Sequence, residues 1–115
     1  MIDSQPDWFK KALSVKKEQK IIEVEEGEIF YQHWGDKSKP GIVLVHGSGS
    51  HSHWWDFIAP QLLETFQVSA IDLSGMGESS HRGDYSPELY AKEILSVAED
   101  SGFFKVGKPI ICGHS

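Results

Sequence analysis

The chain of 115 residues has one cysteine, Cys112, and one arginine, Arg82. A lone cysteine closes no internal disulfide, which excludes a disulfide-stapled secreted scaffold and suits a reducing compartment. Its place in the apolar run Pro109-Ile110-Ile111-Cys112 leads us to expect a buried, inert thiol. Net charge is −6, and the basic residues are scattered apart from the group Lys16, Lys17 and Lys20. Nucleic acid is therefore not expected as a partner, because counterion release from phosphates needs clustered Lys and Arg. Long hydrophobic runs are missing too. None approaches the roughly 18 apolar residues that span a bilayer. The first residues mix Asp3 and Asp7 with Lys10 and Lys11, unlike a secretory signal. A cytoplasmic protein without a membrane partner is expected.

What is present suits a folded domain. The chain is 39% hydrophobic and 24% charged, with four Trp and six Phe to fill a core, and its length matches one ordinary domain of about 100–200 residues. Residues 1–19 read as a lead-in with a short helix over 6–13, its apolar side chains Trp8, Phe9, Ala12 and Leu13 packing on the domain. Residues 20–25 and 28–34 alternate as strands do, with Glu26-Gly27 as the hairpin turn and the glycine taking positive φ. Ile42-Val43-Leu44-Val45 does not alternate, the mark of a strand covered on both faces. A helix is expected over residues 54–63, although Pro60 lacks a donor. Residues 68–72 form another buried strand. Ser86-Pro87-Glu88 opens a helix whose Tyr90, Ile94, Val97 and Ala98 share a face, and Gly102 closes it. Residues 108–112 make the last strand. A hairpin followed by strands alternating with helices is an α/β domain with a mostly parallel sheet.

Three polar constellations follow three of these strands, at the carboxyl ends where open α/β sheets bind ligands. His46-Gly47-Ser48-Gly49-Ser50 comes first, its small residues able to aim backbone N–H groups at one point. Such donors stabilise the oxyanion of acyl transfer. A phosphate-binding loop would look similar, but no Gly-Lys-Ser/Thr or G-x-G-x-x-G spacing is present. Asp72-Leu73-Ser74-Gly75-Met76-Gly77-Glu78-Ser79 comes second, where Asp72 is read as bracing a turn rather than as a catalytic acid. Gly113-His114-Ser115 comes third and matches the start of a nucleophile elbow, G-x-S-x-G. His51 and His53 form an H-x-H pair, but no acid or cysteine cluster completes a zinc site; they are read as histidines at the entrance. Trp54 and Trp55 are candidates for a pocket wall or for the core. Neither a metal nor a cofactor is expected.

Taken together, these motifs resemble the α/β-hydrolase superfamily from about residue 20 onward. The resemblance implies that Ser115 is the nucleophile and that the Ser48 backbone N–H is one oxyanion donor, with His46, Gly47 and Gly49 supporting that loop. It also implies that the second donor, the histidine base and its carboxylate partner follow residue 115, since the family order is Ser, then Asp or Glu, then His. His46 and His114 are accordingly not the base. A serine at the elbow favours ester-type acyl hydrolysis over the aspartate-nucleophile branches. The expected partners are a small acyl substrate and the remainder of the hydrolase domain, from the same polypeptide or a second chain. A hydrolase-fold receptor that binds without efficient turnover is the alternative. Residues 1–115 alone are expected to be inactive and not to fold stably.

Overall fold

A computed structural model describes residues 7–8, 15–46 and 52–113. Of the expected amino-terminal helix, Asp7 and Trp8 are helical and exposed, and the rest lies outside the described residues. The first two strands, β1 (Glu18–Val24) and β2 (Gly27–Trp34), form an antiparallel hairpin with Val24 opposite Gly27. The turn is therefore Glu25-Glu26, one residue earlier than expected. Both of these glutamates have positive φ, 48° and 66°, the sign pattern of the type I′ turn whose twist suits a two-residue hairpin. Gly27 has a different task. A Cβ there would sit 2.9 Å from Arg82 Nη1, so the glycine admits the guanidinium against the hairpin.

Strands β3 (Gly41–Val45), β4 (Gln67–Ile71) and β5 (Ile110–Gly113) complete a sheet in the order β1-β2-β4-β3-β5. The β2–β4 pair is antiparallel, whereas β3 runs parallel to both β4 and β5. Every residue of β3 and β4 is buried: this is the physical content of the unalternating apolar sequence of β3, and in β4 it includes the polar Gln67 and Ser69. Successive side chains still point to opposite faces. Val43 and Val45 join Tyr31, Ile71, Val97 and Phe103 in one cluster, while Ile42 and Leu44 join Trp34, Trp55, Val68 and Ala70 in the other. A fully buried apolar side chain contributes about 1.5–3 kcal/mol.

The face with Val43 is covered by helix α1 (Pro87–Asp100), whose Val97 and Ala98 are buried and whose Tyr90 and Ile94 pack against the cluster. Ser86 caps it by accepting the Leu89 N–H at 3.1 Å. Gly102, in the left-handed region at φ 78°, follows its end. The opposite face is covered differently from expectation. Instead of one helix over residues 54–63 there are two short 3-10 segments, Ser52–Trp55 and Ala59–Leu62. Pro60 has no N–H to close an α-helical turn. The backbone bonds span three residues instead: Asp56 N to His53 O at 3.1 Å, Ile58 N to Trp55 O at 3.0 Å, Gln61 N to Ile58 O at 3.0 Å.

The last strand also departs from expectation. All four residues of β5 are exposed, and Cys112 is an exposed free thiol rather than a buried one. Among the described residues β5 pairs only with β3, which leaves its other edge open. No helix among the described residues is long and apolar enough to cross a membrane.

Candidate active site

The register of the sheet sets the starting points of the three constellations level. Val45 is the Cα partner of both Ile71 and Gly113. Strands β3, β4 and β5 therefore finish level, and each constellation begins at this common edge. Gly113 is described there; His114 and Ser115 lie outside the described residues, as do Gly47, Ser48, Gly49, Ser50 and His51.

His46, the first residue after β3, is buried, and its Nε2 accepts the Leu73 N–H at 3.1 Å. An accepting Nε2 fixes the neutral tautomer with the proton on Nδ1. Its imidazole thus ties the end of β3 to the segment leaving β4. Asp72 begins that segment and is fully buried. One carboxylate oxygen accepts the Ser52 N–H and the other accepts the Glu78 N–H at 2.9 Å. Its backbone is held as well: the N–H donates to Phe30 O at 2.9 Å, and the carbonyl accepts the Ser79 hydroxyl. Gly77 (φ +52°) lies against the carboxylate, where a Cβ would be 2.3 Å from Oδ2. Bracing of a turn is thus what Asp72 does, and the brace extends across to Ser52.

A second buried carboxylate supports the same turn from behind. Glu93, on α1 and fully buried, accepts the Ser74 N–H at 2.9 Å through Oε1. Its Oε2 accepts the Arg82 Nε–H at 3.0 Å. Neither residue was singled out from the sequence, where a glutamate in a helix reads as solvated.

Beside Ser52 stands a polar group that sequence reasoning also missed. Buried Gln32 donates through Nε2 to Ser52 Oγ at 3.1 Å and to Asp56 Oδ1 at 3.0 Å. Asp56 Oδ2 accepts from Lys17 Nζ at 3.0 Å and pairs with His53 Nδ1 at 2.9 Å. His53 Nε2 lies 3.5 Å from Glu78 Oε2. His53 is engaged by carboxylates on both ring nitrogens, and no cluster that could hold a metal ion occurs among the described residues. Trp55 is buried and packs in one cluster with Trp34, Ile42 and Leu44. The Trp54 side chain is outside what is described.

A mixed five-stranded sheet with an antiparallel hairpin first and the parallel strands β4, β3 and β5 ending level is the amino-terminal part of an α/β-hydrolase fold. The chain belongs to the alpha/beta hydrolase family, whose model matches residues 42–115. It is 38% identical over 82 residues, 68% of its length, to an uncharacterized protein of Mycobacterium tuberculosis, of which it covers 22%. It is 41% identical over 58 residues, 50% of its length, to a pimeloyl-[acyl-carrier protein] methyl ester esterase of Methylococcus capsulatus, covering 23% of that protein. Among solved structures it is similar to a thioesterase domain from the curacin biosynthetic pathway. That match has a TM-score of 0.72 at 27% identity, over 86% of this chain and 35% of the other. The chain spans about a fifth of the length of the two curated relatives.

Proposed function

We propose that this chain forms the amino-terminal part of a serine hydrolase acting on a small carboxylic ester or related acyl compound. Ser115 is the nucleophile. It attacks the acyl carbonyl, an acyl-enzyme forms with release of the alcohol or thiol, and water then frees the acid. The Ser48 N–H donates to the developing oxyanion, on a stretch supported by His46, Gly47 and Gly49. The base, its carboxylate partner and the second oxyanion donor come from sequence beyond residue 115. Residues 1–115 by themselves are essentially inactive on this reading. A cytoplasmic setting accompanies it, in keeping with a single cysteine that closes no internal disulfide.

One observation supports the reading above the others: Val45, Ile71 and Gly113 are level in the sheet, so the strands that lead into His46, Asp72 and the Gly113-His114-Ser115 sequence end at one edge. Similarity to proteins named as an esterase and a thioesterase supports acyl chemistry. Fluorophosphonate labelling of the complete protein tests it. Covalent labelling at Ser115, abolished in Ser115→Ala, is the expected result. Folded protein that takes up no label, or a Ser115→Ala variant that still hydrolyses short acyl esters, would overturn it.

A further inference from the structure

The two faces of the sheet are covered unequally. One carries α1, whereas the other is covered by residues 52–62, two 3-10 segments closed by short-range backbone bonds. Trp55 and Ala59 of this stretch share one buried cluster with Trp34, Ile42, Leu44 and Val68 of the strands. Its polar groups fit less well. Gln32 Oε1 on the sheet and Trp55 Nε1 on the stretch are both buried without a hydrogen-bond partner. An unpaired buried polar atom disfavours the docked state, and 3-10 turns have poorer hydrogen-bond geometry than an α-helix. Of the two covers, this one is the easier to lift.

Both ends of the stretch are pinned. At one end the Ser52 N–H donates to Asp72. Just past the other, Lys39 Nζ donates to Leu63 O at 2.7 Å and to Glu64 O at 2.8 Å. Between the pins, Asp56 joins the stretch to its surroundings. Its Oδ1 accepts from Gln32 Nε2 at 3.0 Å, and its Oδ2 accepts from Lys17 Nζ at 3.0 Å. Lys17 belongs to the lead-in ahead of β1. Its ammonium also stands 5.7 Å from the centre of the Trp34 ring, within cation–π range. Val15, two residues earlier, packs against the same cluster. The lead-in therefore lies across the rim of residues 52–62 as a strap fastened at Asp56.

We propose that residues 52–62 are a flap over the Trp34 face of the sheet and that Lys17, acting through Asp56, is its latch. The flap lifts as a unit while the strands and α1 stay folded, as weakly held segments do. Releasing the strap shifts the population towards the lifted form, which uncovers the apolar layer beneath. The lead-in thus controls access to that face. The inference is independent of the nucleophile assigned above.

Native-state hydrogen exchange of the complete protein tests it. The Asp56, Ile58 and Gln61 amides bond within the flap, to His53 O, Trp55 O and Ile58 O. In wild type these three should share one protection, lower than that of the β4 amides. Lys17→Ala should quicken all three roughly three- to tenfold, the scale of a half-exposed ion pair plus a cation–π contact, and leave β4 unchanged. Asp56→Asn keeps an oxygen for Gln32 but offers Lys17 no carboxylate, and should act alike. Lys17→Arg keeps the charge and should stay near wild type. Uncovering of the face is read separately, by thiol labelling in a Cys112→Ser background. The thiol of Ala70→Cys, under the flap, should react faster than that of Val43→Cys, under α1. Adding Lys17→Ala should speed the first and not the second. Flap amides as protected as β4, or quickened by Lys17→Ala only together with β4, would overturn the flap. Exchange unchanged in both Lys17→Ala and Asp56→Asn would overturn the latch, and equal labelling of the two thiols would overturn the uncovering.

Discussion

Arg82 sends its guanidinium to acceptors from two separate elements: Nε to Glu93 Oε2 on α1, Nη1 to Glu25 O at 2.7 Å and Nη2 to Val24 O at 2.6 Å. The arginine side chain is 11% exposed and that of Glu93 is fully buried. Cutting such a pair strands a charge in the interior, which costs about 3–5 kcal/mol. Arg82→Ala should therefore lower the unfolding free energy of the complete protein by about 3 kcal/mol or more, read by urea titration. Lysine should recover little, since one ammonium cannot reproduce a planar fork serving three acceptors. His33 is the other buried charge-capable residue of interest, 4% exposed and 2.8 Å from Gln67 Oε1 through Nε2. Gln67 Nε2 donates to the Lys37 and Lys39 carbonyls. The Gln67 oxygen is thus the acceptor and His33 Nε2 carries the proton. Burial pushes the His33 pKa below the usual histidine value of 6.5, outweighing the Gln67 bond and the Glu18 carboxylate that raise it. The unfolded imidazole accordingly takes a proton before the folded one does. The His33 contribution is full above about pH 6.5 and is lost progressively as pH falls towards the lower folded value. Melting curves from pH 7.5 to 5 should show a steeper acid-side loss in wild type than in His33→Gln, and parallel curves would refute this.

At the scale of elements, the turn of the β1–β2 hairpin is the place where local chemistry and fold disagree. Type I′ turns favour Asn-Gly because both central residues need positive φ, yet here they are Glu25 and Glu26. A non-glycine residue in the left-handed region costs about 1–2 kcal/mol. The turn is held by the two Arg82 bonds and by an exposed Lys92–Glu25 pair at 2.9 Å, and such exposed pairs contribute little. Glu26→Gly should relieve the strain and, after the extra chain entropy of glycine, stabilise the protein by about 0.5–1 kcal/mol. An unchanged or lower melting temperature would contradict that. The same hairpin shows what the sequence could and could not tell. Strands β3 and β4 and helix α1 were legible because their cues are local: the unbroken apolar run of β3, the short Val68-Ser69-Ala70-Ile71 stretch of β4, and Ser86-Pro87 with a 3.6-residue apolar stripe. The turn was misplaced by one residue because Gly27 serves Arg82, which is 55 positions away in sequence. The clustering of His46, Asp72 and Gly113 was legible from strand order. The link from Asp72 to the Ser52 N–H was not, nor was the bond from Gln32 to the Ser52 hydroxyl: Ser52 and Gln32 sit on other elements, and a serine amide carries no signal in sequence. The helix expected over residues 54–63 is two 3-10 segments instead, and Pro60, noted in the sequence as lacking a donor, is the one local cue against it.

At the scale of the whole molecule, the sheet among the described residues is covered at its centre and bare at its β5 edge. Strands β3 and β4 are buried on both faces, whereas β5 leaves Ile110 and Ile111 at 49% and 45% exposed. Ile110 is level with Ile42 and Ile111 with Val43, so the two side chains extend the two core layers out into solvent. An apolar strand with one unpaired row of N–H and C=O groups is a template for another strand. The polypeptide 1–115 expressed by itself should therefore associate through β5 rather than remain monomeric. Light scattering after size exclusion would show mass well above one chain, growing with concentration, and melting would not be cooperative. A charge placed on the edge is the standard natural remedy. Ile111→Lys should shift 1–115 towards the monomer, while the same change in a protein whose later sequence covers β5 should destabilise it, because there the lysine would be buried. Opposite signs from one substitution separate an exposed edge from a covered one. A monomeric, cooperatively melting 1–115 would mean that β5 is protected in a way its exposure does not indicate.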